Sequence, residues 1–165
     1  MPTALLKHSH LRALYIATIL FAALLVLSGC GATRAPQPQP VRSCNACPIV
    51  DTAKSVVGIP YKWGGQQPQK GFDCSGLIWW VYKRHGIDLP RPSWEQINAG
   101  VQVPYSERTY GDLIFFNTEG KGFHVGIISG QYTFIHSPSK GKTVRETQMS
   151  NYWSKRFIAV KRIVR

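Results

Sequence analysis

The feature that most constrains the fold is a change of period part-way along the chain. From Cys74 the apolar residues Leu77, Ile78, Val81 and Tyr82 recur at helical spacing. Asp73 stands where an N-cap belongs and Gly86 where a helix stops, so a helix is predicted over Cys74–His85. From Asp112 onward the apolar runs are short. Asp112–Phe116, His124–Ile128, Tyr132–His136, Thr143–Arg145 and Phe157–Ile163 read as strands. Two lesser helices are expected upstream. One is Pro48–Val57, with Asp51 in its first turn; the other is Ser93–Ala99, with Gln96 at the capping-box distance from Ser93. Gly64–Gly71 reads as a loop. Helices first and antiparallel strands after imply an α+β class, with one helix packed on a small curved sheet. The chain has 165 residues, 44% of them apolar, which is one domain's worth of sequence and enough to bury a core.

The N-terminus has a different character. Lys7 and Arg12 precede an apolar run from Ala13 to Leu27 broken only by Thr18. As a helix that run would rise about 22 Å, short for a bilayer core of about 30 Å. A positive start, a short apolar middle and small residues behind it read as a secretory signal. Leu27-Ser28-Gly29-Cys30 resembles the lipobox of bacterial lipoproteins, which implies that Cys30 is acylated and becomes the first mature residue. A plain signal peptide or a short anchor helix is the alternative. Gly31 follows, and by the same resemblance a residue other than Asp there favours the outer membrane of a Gram-negative cell. Residues 30–43 then form a lipidated cysteine and a Pro/Gln-rich tether, ahead of a domain from 44 to 165.

Lys and Arg number 20 against 8 Asp and Glu, a formal charge of +12. Such a surface suits nucleic acid, anionic lipid or an acidic polymer, and export argues against nucleic acid. The positive residues are scattered rather than gathered in one run, so a generically basic soluble protein is the plainer reading.

Cys74 is the sharpest chemical feature. At the first turn of a helix it meets the positive end of the dipole and unpaired backbone N–H groups. Both favour thiolate, so its pKa is expected below the free value of about 8.5. A small buried core residue is the alternative. His124 and His136 flank Ser129-Gly130-Gln131, a turn candidate. If those three residues form the loop, Ile128 pairs with Tyr132 and His124 with His136, both projecting from one face. That supplies a base and an orienting partner. Two polar surface histidines or a metal pair are the alternatives. His85 reads as a residue compensating the dipole at its helix end, or as a surface residue.

Six stretches in order now stand together: Tyr61-Lys62-Trp63-Gly64-Gly65, Phe72-Asp73-Cys74-Ser75-Gly76-Leu77, Leu89-Pro90-Arg91-Pro92-Ser93 with Gln96, Gly111-Asp112-Leu113-Ile114-Phe115-Phe116, His124-Val125-Gly126-Ile127 and Phe134-Ile135-His136. They resemble the NlpC family of bacterial cell-wall cysteine peptidases, from about Ile49 to the C-terminus. The resemblance implies a minimal papain-like fold, with the catalytic helix packed on the sheet. It implies hydrolysis of amide bonds in peptidoglycan stem peptides next to D-glutamate or meso-diaminopimelate. It makes Cys74 the nucleophile, His124 the general base and His136 the orienting residue. Tyr61 falls beside the nucleophile at an oxyanion-holding position. Asp73, Ser75 and Arg91 fall at substrate-pocket or pocket-supporting positions, as do Ser93 and Gln96. Pro92 departs from the usual Thr and is expected to stiffen the loop. The resemblance brings no metal and no cofactor.

Cys44 and Cys47 lie outside that pattern. C-x-x-C in an exported chain is a redox pair, half of a zinc site or a local disulfide, and the disulfide is expected here because no second pair of ligands is available once Cys30 is lipidated. Trp63 is expected near the substrate cleft, a structural role being the alternative.

The functional expectation is a lipid-anchored endopeptidase of the cell envelope, whose partners are stem peptides and, through Cys30, the membrane. A non-catalytic envelope protein that binds stem peptides or recruits another enzyme is the alternative. An acyltransferase or amidase acting through the same chemistry is a third reading. Spacing does not choose the bond that is cut, an activating protein or an oligomeric state.

Overall fold

The computed structural model describes residues 48–118 and 122–163. Cys30, Cys44 and Cys47, and with them the expected signal, tether and disulfide, lie outside the described residues.

Helix α1 (Pro48–Lys54) buries Ile49, Val50 and Ala53. It ends sooner than Val57 because the chain tightens into three-residue turns, Val56 N–H donating to Ala53 O and Val57 N–H to Lys54 O. The expected loop at Gly64–Gly71 contains a small hairpin, β1 (Gln66–Gln67) against β2 (Gly71–Phe72). Helix α2 (Cys74–Lys83) follows at once. Gly86 takes φ +74°, which turns the chain so that Ile87 N–H returns to Tyr82 O, and the helix stops two residues before His85. His85 instead bonds Thr52 Oγ1 through Nε2 at 2.8 Å. Helix α3 (Ser93–Gln96) is shorter than expected and has no capping box. Pro92 precedes it without a side-chain cap, and Gln96 turns inward to donate to Ser75 O at 3.0 Å and Pro90 O at 2.8 Å.

The remaining strands build one antiparallel sheet in the order β3-β8-β4-β5-β6-β7. They are β3 (Val101–Val103), β4 (Leu113–Asn117), β5 (Phe123–Ile128), β6 (Thr133–His136), β7 (Arg145–Gln148) and β8 (Phe157–Arg162). Strand β3, a 3₁₀ turn at Tyr105–Glu107 and helix α4 (Asn151–Ser154) were not expected from the sequence. The strand predicted at Thr143–Arg145 begins only at Arg145, because Val144 pairs elsewhere. Its N–H donates to Ile59 O, and its carbonyl accepts from Gly58 N–H, both at 2.8 Å.

The two faces of the sheet pack differently. On one, Leu113, Phe115, Val125, Ile127 and Ile135 meet Leu77, Ile78, Val81 and Tyr82 of α2, together with α1. On the other, Ile114, Phe116, Ile128, Phe134 and Val160 meet Trp153 of α4, Met149 and Phe157. Burying a side chain of this size stabilises the fold by roughly 1.5–3 kcal/mol each.

The β5–β6 register differs from the expected one. Ile128 pairs with Phe134 and Ile127 with Ile135, so five residues rather than three separate the paired positions, the last of them, Thr133, already in β6 and paired with β7. Ser129 and Gly130 N–H groups both donate to Thr133 O, which closes this longer turn. The shift is two residues, an even number, so His124 and His136 keep a common face but stand diagonally rather than opposite.

Candidate active site

Cys74 opens α2, and Asp73 caps it by accepting Gly76 N–H at 2.7 Å. The helix start lies against β5 where the sheet parts. Ile128 donates its N–H to Asp112 O on the β4 side, so by alternation Val125 turns its N–H toward β6. The β5–β6 ladder ends at Ile127–Ile135, leaving that amide to face the Cys74 sulfur. Beyond the ladder, Ser137 Oγ donates to Phe72 O at 2.7 Å and ties the end of β6 to the approach of α2.

The imidazoles stand on the sheet face covered by α4. His124 Nε2 lies 2.7 Å from His136 Nδ1, and His136 Nε2 lies 3.0 Å from Thr147 Oγ1. Gly126 faces His136, and its missing side chain leaves room for the diagonal contact. A Cβ there would stand 2.7 Å from Phe134 Cδ2 and 3.4 Å from His136 Cβ. Trp153 stacks on His124 at 5.4 Å and 24°, and meets His136 edge-on at 5.2 Å.

The electrostatics overturn one expectation. Burial, reinforced by the Asp73 carboxylate, pushes the Cys74 thiol up to about 11. N–H groups of Val125, Ser75 and Cys74 pull the other way, as a helix start should, but they do not outweigh lost hydration. Burial lowers His124 to about 4. His136 is lowered as well, by burial first and then by His124, Arg145 and Lys142. The resting pair is thus a neutral thiol and a neutral imidazole. Among the described residues no hydrogen bond joins that thiol to either ring. Such bonds often tighten only when substrate is bound.

Tyr61 is raised by burial, then by Cys74 and Asp73, which places its neutral hydroxyl in their neighbourhood. Arg91 organises the ground beneath the helix start. It donates to Asp73 Oδ2 at 2.9 Å, Ser75 Oγ at 2.9 Å, Gly65 O at 3.0 Å and Gln66 Oε1 at 2.8 Å. Asp73 Oδ2 also takes Gly64 N–H at 2.8 Å. Asp73, Ser75 and Arg91 therefore form one network that fixes the Gly64–Gly65 turn against α2. Gly76 permits the approach, since a Cβ there would meet Gly65 O at 2.0 Å. Ser93 is buried in α3, and Trp63, beside this turn, is 83% exposed.

Three residues of this region were not singled out from the sequence. Gln66 lay in the presumed loop. Thr147 fell outside the strand as predicted, and Trp153 belongs to an unpredicted helix of four residues. Placing β7 two residues later would have put Thr147 diagonally across from His136, the one signal that could have found it.

Residues 58–162 match the NlpC/P60 family. The chain belongs to that family. A probable endopeptidase NlpC of Escherichia coli (strain K12) is 36% identical over 151 residues, 88% of this chain and 97% of that protein. The murein DD-endopeptidase MepH of the same strain is 40% identical over 114 residues, 66% of this chain but 42% of its own. This chain also spans less than half the length of two Bacillus subtilis (strain 168) relatives, 36% of one and 40% of the other. Among solved structures, an NlpC/P60 family protein from Bacillus cereus ATCC 10987 matches with a TM-score of 0.66 at 34% identity, over 75% of this chain and 41% of that one. The NlpC/p60 domain of the peptidoglycan hydrolase SagA gives 0.62 at 33%, over 70% and 96%. The NlpC/P60 domain here thus has the α+β, minimal papain-like fold expected from its sequence.

Proposed function

We propose that this chain is a lipid-anchored peptidoglycan endopeptidase that hydrolyses amide bonds of stem peptides, next to D-glutamate or meso-diaminopimelate, by a Cys-His-His mechanism. The observation that carries the proposal is the 2.7 Å contact between His124 Nε2 and His136 Nδ1. It leaves His124 Nδ1 as the ring nitrogen available to a proton from Cys74. Relatives named as endopeptidases of murein support the substrate class.

Because thiol and imidazole rest neutral, the proton moves with the attack. Cys74 Sγ bonds to the scissile carbonyl carbon while His124 Nδ1 takes the thiol proton. Negative charge develops on the carbonyl oxygen, where helix-start N–H groups and the Tyr61 hydroxyl are the proposed donors. His124 then gives its proton to the leaving amine, and a thioester remains. Water attacks the thioester with His124 again as base, and Cys74 recovers its proton as the carboxylate product leaves. No metal or cofactor takes part in this scheme. Attachment through Cys30, facing the periplasm from the outer membrane if the cell is Gram-negative, rests on the lipobox resemblance.

A second reading, stem-peptide binding without cleavage, holds if the thiol that burial and Asp73 push up does not pass its proton to His124. Digestion of purified muropeptides, with products read by mass spectrometry, separates the two. The wild type should cleave, and Cys74→Ala should lose cleavage while staying folded. Equal rates from both proteins would refute the cysteine mechanism; binding without cleavage by both would establish the second reading.

A further inference from the structure

We propose that Thr147 is a positioning residue whose Oγ1 terminates a three-residue relay and fixes the tautomer of His124. His124, His136 and Thr147 step diagonally across β5, β6 and β7. The two contacts are 2.7 Å from His124 Nε2 to His136 Nδ1 and 3.0 Å from His136 Nε2 to Thr147 Oγ1. Three of the four ring nitrogens or their partners are thereby committed. Among the described residues His124 Nδ1 makes no hydrogen bond.

A neutral imidazole carries one proton, so a single proton lies between His124 Nε2 and His136 Nδ1. If it sits on His136, the proton of His124 must occupy Nδ1, and that nitrogen has no lone pair to offer. If it sits on His124 Nε2, then Nδ1 is free and the proton of His136 moves to Nε2, where it needs an acceptor. Thr147 Oγ1 is that acceptor. A hydroxyl can also donate, but the first arrangement leaves His124 Nδ1–H with no acceptor among the described residues, whereas the second pairs every ring N–H, so the resting rings favour Nε2. Only one survives when His124 becomes an imidazolium, because His124 then donates from both nitrogens. His136 must accept at Nδ1 and donate at Nε2, and a buried N–H without a partner is costly. Arg145, paired with His136 across β6 and β7, and Lys142 oppose a second proton on His136, so the charge stays on His124. The kinetic consequence rests on the peptidase reading above; the tautomer does not.

The full chain carrying Thr147→Val, which keeps the branched shape without the hydroxyl, is compared with wild type and Thr147→Ser. Two-bond nitrogen–proton spectra of the histidine rings report the tautomer directly. Wild type and Thr147→Ser should show His124 protonated at Nε2, and Thr147→Val should shift the proton toward Nδ1. On muropeptides, Thr147→Val should lower kcat roughly tenfold with KM within about twofold, and Thr147→Ser should recover most of the rate. A wild-type His124 protonated at Nδ1 would overturn the proposal, as would Thr147→Val with unchanged kcat. If the wild type cuts no muropeptide, the peptidase reading falls alone, and the ring spectra still decide on Thr147.

Discussion

At Cys74 two local rules compete, and burial wins. The N-terminal turn of a helix favours thiolate, and the N–H groups that should act do act. Desolvation and the Asp73 carboxylate act in the opposite sense, and together they hold the thiol near 11. Asp73 is itself required, since it caps the helix and carries Arg91. The residue that starts the helix thus also raises the thiol beside it. Iodoacetamide alkylation of Cys74 should therefore be slow at mildly acidic and neutral pH and quicken as the pH rises toward that value. Fast alkylation at pH 5–6, relative to a free thiol, would show that a thiolate–imidazolium pair forms after all.

At the scale of elements, the site depends on one strand pair that parts early. β5 and β6 share only two paired positions, and the open end receives the start of α2. Gly126 makes the imidazole contact possible by leaving the place opposite His136 empty. Gly126→Ala should crowd the Phe134 ring, which the added methyl would approach to 2.7 Å, and push His136 away from His124. A loss of roughly 1–3 kcal/mol in stability is expected from such overpacking. Muropeptide cleavage should fall further than that loss explains. Denaturant titration and cleavage rates on the same protein check this, and a variant with wild-type stability and rate would contradict the packing argument. The α4 helix matters for the same reason. Its Trp153 packs over both rings on that sheet face.

For the whole molecule, the buried imidazoles set the acid limb of stability. Folded His124 stays neutral down to about 4, whereas an unfolded imidazole protonates near 6.5. The unfolded state therefore binds more protons in that window. Stability should be full above about pH 6.5 and fall as pH drops toward 4, by on the order of 3 kcal/mol for His124 alone. Chemical denaturation at pH 7 and pH 4.5 measures it, and His124→Gln should reduce the difference, leaving the part that His136 contributes. A profile that rises on acidification would have the wrong sign. The molecule's place in the envelope has its own test. Metabolic labelling with a palmitate analogue should tag the wild type and spare Cys30→Ala; equal labelling would remove the lipid anchor.

Periodicity made α2 legible: four apolar residues at helical spacing, a carboxylate before them and a glycine behind are all local facts. The common face of the two histidines was legible too, because the true register differs from the expected one by two residues and strand parity survives an even shift. The six family stretches, taken together, carried the papain-like architecture. Short pieces were not legible. β3, α4 and each strand of the hairpin at Gln66–Phe72 are two to four residues long, too few to show a period. Gln96 looked like a cap in sequence and became a buried donor, because the carbonyls it serves, Ser75 and Pro90, meet only in the folded chain. The raised thiol and the lowered imidazoles likewise belong to the tertiary structure. Residue type sets the reference pKa and a helix start sets the local field, but loss of hydration depends on which distant side chains close over the group.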